Sequence, residues 1–193
     1  MPPRGAPRLV VVASTRAAEC LRPALERAIG ARSTVWYTPP SSALERPIPV
    51  RAAELLGRLP FDTAEAEGGE PRIVGVGTAA LLAFETAAQL LAKRRPPAGL
   101  ALVDPPPIPP GSARPGYRPP LVDLGGLLVL TAARIPRGAD GRPCRPDPRL
   151  EWVAQYRHAP HLVRLEGEPF DLHDEDRYPP ESAEAIASAV AGW

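Results

Sequence analysis

The sequence predicts an α/β protein in which a mostly parallel sheet is flanked by helices. Short apolar runs of a strand's length alternate along the chain with longer segments of helical periodicity, a pattern typical of parallel strands joined by crossover helices. Many of the 28 prolines fall between these segments, where they form rigid connections. The 193 residues suffice for one domain with a sizeable core. We therefore expect a single domain over 1–193, with a sheet of about five to seven strands.

The strand predictions rest on apolar runs that are enriched in β-branched or aromatic residues. The first run, RLVVVA, is continuously apolar after its arginine, as a buried strand is. The second, STVWYT, combines β-branched and aromatic side chains. The predicted strands span 8–13, 33–38, 72–77, 99–104, 125–134 and 161–167.

The helix predictions rest on apolar residues at three- and four-residue spacings and on residues typical of helix ends. In the first helix, Ser14 or Thr15 is the expected N-cap and Gly30 the expected stop, while Pro23 predicts a kink or a later start. The third helix is expected to reach the basic residues 93–95, which complement its dipole. The predicted helices span 14–30, 49–59, 78–95 and 181–193.

Charge and hydropathy exclude several partner classes. The formal net charge of +1 lacks the basic excess that nucleic acids and anionic membrane surfaces favour. No apolar run reaches the ~18 residues that a membrane span needs, and the apolar stretch near the N-terminus is too short for a signal peptide. We expect a cytoplasmic protein with no nucleic-acid and no membrane partner.

The cysteines and histidines predict neither a metal site nor a disulfide framework. Cys20 and Cys144 lie far apart without metal-ligand spacing, and we expect both thiols to be reduced. His158 and His161 are spaced by three, with His173 further on, but no third ligand accompanies the pair. We expect no metal and no cofactor.

One segment, IVGVGTAALLAFETAAQLL at 73–91, has the outline of a nucleophile elbow. In that motif a strand turns sharply into a helix and presents a reactive side chain at the turn. Here the turn position is Gly77, which has no side chain to react. We expect Gly77 at the carboxyl edge of the sheet, in a backbone geometry that strains any larger residue.

The residues around this elbow resemble the thioesterases of polyketide and nonribosomal peptide pathways. GVGTAALLAFETAAQL at 75–90 and LALVDPPP at 100–107 are similar to that family's elbow, its A-F-E helix and its acid strand. EWVAQY at 151–156 and VRLEGEPFDL at 163–172 are similar to its W-x-x-Y segment and its terminal G-x-H-F motif. The order of elements matches over nearly the whole chain, so the resemblance implies an α/β-hydrolase-like fold.

The resemblance also implies that two of the three triad side chains are missing. The family's serine falls on Gly77 and its histidine on Pro169, and only the acid position is retained, as Asp104. A triad needs an oxygen nucleophile and a base within hydrogen-bond reach, so we do not expect the serine mechanism. ASTRAA at 13–18 replaces the family's glycine-rich loop, and the proline-rich connection at 105–125 replaces most of its helical lid.

Four residues are candidates for a remodelled site. Asp104 is expected where open α/β sheets bind ligands, either as a binding or acid–base group or as a carboxylate that caps a turn. Thr78 is either a substitute nucleophile or an ordinary first-turn residue, and His173 is either a displaced base or a surface histidine. The backbone at Ser14 and Thr78 could stabilise an oxyanion, a role that needs amides rather than side chains.

These residues lead to three hypotheses about function. The leading one is a thioesterase-like protein that no longer hydrolyses and binds an acyl intermediate, an acyl or peptidyl carrier protein, or a biosynthetic enzyme. The alternative is a cyclase or isomerase with Asp104 as acid or base, and the third is residual hydrolysis through Thr78 or His173. Without a lid, the groove beside Gly77 should be exposed, and Ile108 is expected at the interface of a homodimer or of a partner complex.

Overall fold

The computed structural model describes residues 9–31, 34–40, 45–59, 70–106, 126–132, 140–142, 161–165 and 180–193. Within these residues the sheet is entirely parallel. Its strands in these residues are β1 (Leu9–Val12), β2 (Thr34–Tyr37), β3 (Arg72–Val76), β4 (Gly99–Val103), β5 (Leu127–Ala132) and β6 (His161–Leu165). They lie in the order β2-β1-β3-β4-β5-β6. The predicted fold class and the predicted strand positions are confirmed.

Helices cover both faces of this sheet. They are α1 (Thr15–Leu25), α2 (Ile48–Arg58), α3 (Ala80–Ala92) and α4 (Pro180–Gly192). The chain runs from β1 to β2 in one direction and from β2 to β3 in the other, so right-handed crossovers place α1 and α2 on opposite faces. Alternate strand residues therefore enter two cores, one beneath α2 and α3 and one beneath α1 and α4.

The first helix begins at the predicted N-cap. The Ser14 hydroxyl accepts a hydrogen bond from the Ala17 N–H at 3.2 Å, which satisfies one of the helix's unpaired donors. Pro23 does not delay the helix, which continues through it to Leu25 and then into a π-type turn over Glu26–Gly30. Gly30 has a φ of +103° and ends the helical segment, as predicted.

The third helix ends at Ala92 rather than at residue 95. Arg94 adopts a left-handed φ of 58°. Its N–H donates to the Leu91 carbonyl at 2.9 Å, and the Arg95 N–H donates to the Leu90 carbonyl at 3.0 Å. These two bonds form a Schellman motif, so the basic residues stop the helix instead of extending it.

The amino edge of the sheet is packed against the C-terminal indole. A Cβ added at Gly99, the first residue of β4, would lie 2.4 Å from the Trp193 ring, and one added at Gly126 would lie 3.5 Å from it. The Arg72 guanidinium stacks over the same ring at 5.6 Å from its centroid. The indole thus packs at the edge opposite the candidate site. None of the helices in the described ranges combines the length and the apolar character that crossing a membrane requires.

Candidate functional site

A topological switch point lies at the carboxyl edge between β1 and β3, and we refer to this location as the crevice. Successive connections leave these neighbouring strands in opposite directions across the sheet, and the helices that follow them pack on opposite faces. Open α/β sheets bind ligands at such a topological switch point, outside the carboxyl ends of the strands. The chain segments that line this crevice are the residues directly after β1 and β3.

The strand register brings three predicted site residues to one level. Val12 pairs with Gly75 across β1 and β3, so two residues further on Ser14 lies beside Gly77. Val76 pairs with Val103 across β3 and β4, so the next residue along places Asp104 on the other side of Gly77. The structure therefore brings Ser14, Gly77 and Asp104 together in a row along the carboxyl edge.

Gly77 lies at the apex of a sharp strand-to-helix turn. Its φ is +54°, a conformation that L side chains adopt only with strain. A short 3₁₀ turn over Gly77–Ala79 leads into α3, and the Ala80 N–H donates to the Gly77 carbonyl. The elbow geometry predicted for this segment, with Gly77 at the carboxyl edge, is confirmed.

Close packing beneath the apex holds the elbow in place. A Cβ added at Gly75 would lie 2.5 Å from the Ala83 Cβ and 2.8 Å from the Ala80 Cα, distances that real Cβ contacts do not reach. Only a glycine at 75 therefore lets α3 turn back so closely over β3. Further along α3, Leu82 and Phe84 are fully buried in the core beneath α2 and α3.

The residues that flank the apex place backbone amides at this edge of the sheet. Thr78 is exposed within the 3₁₀ turn, and its N–H precedes the helical hydrogen-bond ladder. Ser14 is half-buried, and its hydroxyl accepts from Ala17 as the N-cap of α1. The first turns of α1 and α3 both start at this edge, so their dipoles favour negative charge there.

Asp104 turns the chain abruptly at the end of β4. It is half-buried and has a φ of 44°, and its N–H donates to the Leu130 carbonyl of β5 at 2.6 Å. Aspartate tolerates the left-handed region better than most residues, but such positions still store strain and cluster at functional sites. The sequence did not predict this conformation.

Thr131 extends the same row onto β5 and is not among the site residues predicted from the sequence. Leu100 pairs with Leu127 across β4 and β5, so four residues further along each chain segment Asp104 lies beside Thr131. The threonine is 1% exposed, and it pairs in turn with the exposed Arg164 of β6. The sequence did contain a signal for this residue, because Thr131 is a polar residue directly after the apolar run LLVL.

Several predicted site residues lie outside the described residues. They are Pro169, His173, Ile108 and Cys144, together with His158 and the connection at 107–125. Cys20 is a half-buried free thiol, and His161 is exposed at the start of β6. Among the described residues, no three His, Cys, Asp or Glu side chains come together as a metal site would require.

The arrangement can polarise and hold a carbonyl group more readily than it can attack one. Two helix starts supply amides at the crevice, and Asp104 supplies a carboxylate one strand away. The apex supplies no nucleophilic atom, because Gly77 has no side chain. Such amides stabilise an oxyanion or bind a carbonyl oxygen with their N–H groups alone.

Solved structures of biosynthetic thioesterases share this fold over nearly the whole chain. The thioesterase domain of NocB from the nocardicin cluster, in covalent complex with a fluorophosphonate nocardicin G analogue, is 18% identical, with a TM-score of 0.63 over 98% of this chain and 96% of that one. RedJ, a thioesterase of the prodiginine pathway in Streptomyces coelicolor, is 17% identical, with a TM-score of 0.65 over 97% and 85%. YbtT, a type II thioesterase of the yersiniabactin pathway, is 15% identical, with a TM-score of 0.64 over 97% and 92%.

These comparisons confirm the predicted resemblance at the level of the fold. The chain has the α/β-hydrolase fold that these biosynthetic thioesterases share. No protein-family model and no curated protein matches the sequence.

Proposed function

We propose that the chain is a thioesterase-like protein of a polyketide or nonribosomal peptide pathway that binds an acyl intermediate without hydrolysing it. The acyl group would arrive as a thioester on an acyl or peptidyl carrier protein. The observation that supports this proposal most directly is Gly77 at the apex of an intact elbow. The turn is preserved, whereas the atom that would attack a thioester is missing from it.

The proposed binding mode uses the groups that remain at the carboxyl edge. The thioester carbonyl oxygen would accept hydrogen bonds from the elbow amides near Thr78 and from the backbone at Ser14. Removal of the nucleophile leaves such donors in place, because backbone amides do not depend on side-chain identity. A thioester held in this way is protected from attack as long as no general base activates a water molecule beside it.

A binding measurement tests this proposal. Octanoyl-N-acetylcysteamine, a small acyl thioester, is titrated into the protein and followed by calorimetry and by saturation-transfer NMR. Thr78→Trp places a bulky ring at the crevice and should weaken binding about tenfold or more, which corresponds to at least 1.4 kcal/mol. Ala98→Trp adds the same ring at an exposed position on the amino edge and should leave binding unchanged.

Two outcomes would contradict the proposal. One is a wild-type protein that does not bind the thioester at millimolar concentration. The other is equal weakening by both tryptophan variants, which would place binding away from the crevice. Repeating the titration with an octanoyl-loaded carrier protein then measures how much the carrier adds to the affinity.

Asp104 favours a second candidate function, a non-hydrolytic cyclase or isomerase. The observation behind it is the left-handed backbone at Asp104, held beside the elbow. A carboxylate at the edge of an apolar cleft can act as an acid or base without any nucleophile. Conversion of a linear precursor that is lost in Asp104→Asn would favour this candidate, whereas binding without conversion favours the first.

A further inference from the structure

Thr131 carries a buried hydroxyl that has no hydrogen-bond partner among the described residues. The residue closes β5 after four apolar positions and is 1% exposed. Its Oγ1 is buried and makes no hydrogen bond with any described residue. By contrast, the equally buried Thr86 donates to the Leu82 carbonyl at 2.7 Å. Because a buried hydroxyl without a partner loses its hydrogen bonds to water and destabilises a fold, native proteins contain few of them.

The position of this hydroxyl connects it to the candidate site. Leu127 and Val129 of β5 enter the core beneath α2 and α3, so alternation directs Thr131 to the same face. The Asp104 N–H donates to the carbonyl of Leu130, the residue before it. Asp104 and Thr131 therefore lie side by side, and two strand spacings place Thr131 about 10 Å from Gly77.

The two side chains offer complementary hydrogen-bonding capacity. An ionised aspartate only accepts hydrogen bonds, whereas a threonine hydroxyl also donates. A single alcohol group can bind to both, because its oxygen accepts from the threonine while its O–H donates to the carboxylate, which can accept several hydrogen bonds at once. A 3-hydroxyacyl thioester carries such an alcohol two carbons from its carbonyl, whereas a plain alkyl chain has no group to offer the pair.

We propose that Thr131 is a specificity-determining residue that, with Asp104, binds a hydroxyl group close to the thioester of the acyl ligand. This inference rests on the proposed function and specifies its ligand: 3-hydroxyacyl thioesters should bind more tightly than unsubstituted ones. It also explains why Oγ1 has no hydrogen-bond partner in the described part of the chain, since the bound molecule supplies one.

The test compares matched ligands and matched variants. Octanoyl-N-acetylcysteamine and the two enantiomers of its 3-hydroxy derivative are titrated into the wild type, Thr131→Val and Thr131→Ser. The wild type should prefer one hydroxy enantiomer by about five- to tenfold, the effect of one well-formed hydrogen bond. Thr131→Val should bind the octanoyl ligand as before and lose the preference, and Thr131→Ser should retain it.

The stability of the free protein provides a second readout. Valine has nearly the shape of threonine without the hydroxyl, so Thr131→Val should raise the melting temperature if Oγ1 has no structural partner. If that variant melts at a lower temperature and keeps the preference, Oγ1 binds a structural water only, and the proposal is wrong. A wild type that binds the octanoyl ligand and the two 3-hydroxy enantiomers equally overturns this inference alone. A wild type that binds none of the three overturns the proposed function as well.

Discussion

Two residues with left-handed backbones, Gly77 and Asp104, lie next to each other at the carboxyl edge, with φ values of 54° and 44°. The sequence predicted the first, because a glycine at the end of an apolar strand and before a helix indicates a sharp turn. It did not predict the second, because aspartate adopts this conformation in only a minority of cases. Thr131, whose hydroxyl has no partner within the described ranges, was missed for a different reason, since its surroundings depend on a strand distant in sequence.

At this residue scale, a side chain at the apex should cost stability. Gly77→Ala and Gly77→Ser should each lower the free energy of unfolding by about 1–2 kcal/mol, because an L residue at this φ brings its Cβ close to the following carbonyl. Chemical denaturation measures the loss. Gly57→Ala is the control, since Gly57 lies in α2 with open space around it and the change should stabilise by about 0.5–1 kcal/mol. Equal effects of Gly77→Ala and Gly57→Ala would contradict the strained apex.

At the scale of elements, sequence patterns predicted which segments form strands and helices better than where they end. The α3 helix stops at a Schellman motif with Arg94 in the left-handed position, and arginine there gives no signal because glycine is the usual residue. Pro23 was expected to kink or delay α1, and the delay is wrong, because the helix begins at Thr15 and continues through Pro23 to Leu25.

The contact between β3 and α3 yields a prediction for this scale. Gly75→Ala should cost about 1–3 kcal/mol of stability, because its Cβ overpacks against Ala83 and the backbone of Ala80. Ala83→Gly removes one of these contacts and should recover part of the loss in the double variant. A double-mutant cycle measures the coupling between the two sites. Strict additivity of the two changes would show that the elbow is not held by this contact.

At the scale of the whole molecule, the alternating pattern of strands and helices predicted a parallel α/β sheet. The residues around the elbow indicated that the fold is similar to that of thioesterases. The row that joins Ser14, Gly77 and Asp104 could not be read from the chain alone, because it depends on the register of three strands. Register is set by long-range pairing and by the two cores, not by any local motif. The single domain and the Ile108 interface remain predictions.

The proposed loss of hydrolysis is likewise a property of the whole site rather than of one position. Gly77→Ser returns an oxygen to the apex, but Pro169 cannot act as a base, so this change alone should not restore turnover. Gly77→Ser combined with Pro169→His recreates the three side-chain types of the triad together with Asp104. Any hydrolysis gained should therefore require both changes.

This chain has a thioesterase fold, and we propose that it does not hydrolyse thioesters. The most direct test of this proposal is the rate of thiol release from octanoyl-N-acetylcysteamine, measured by chromatography of the free thiol. We predict that the wild type, Thr78→Val and Gly77→Ser all release thiol at the rate of buffer alone, because we expect none of them to have a nucleophile with a base beside it. A wild-type protein that releases thiol well above this background, with the activity lost in Thr78→Val, would contradict the account and identify Thr78 as the nucleophile.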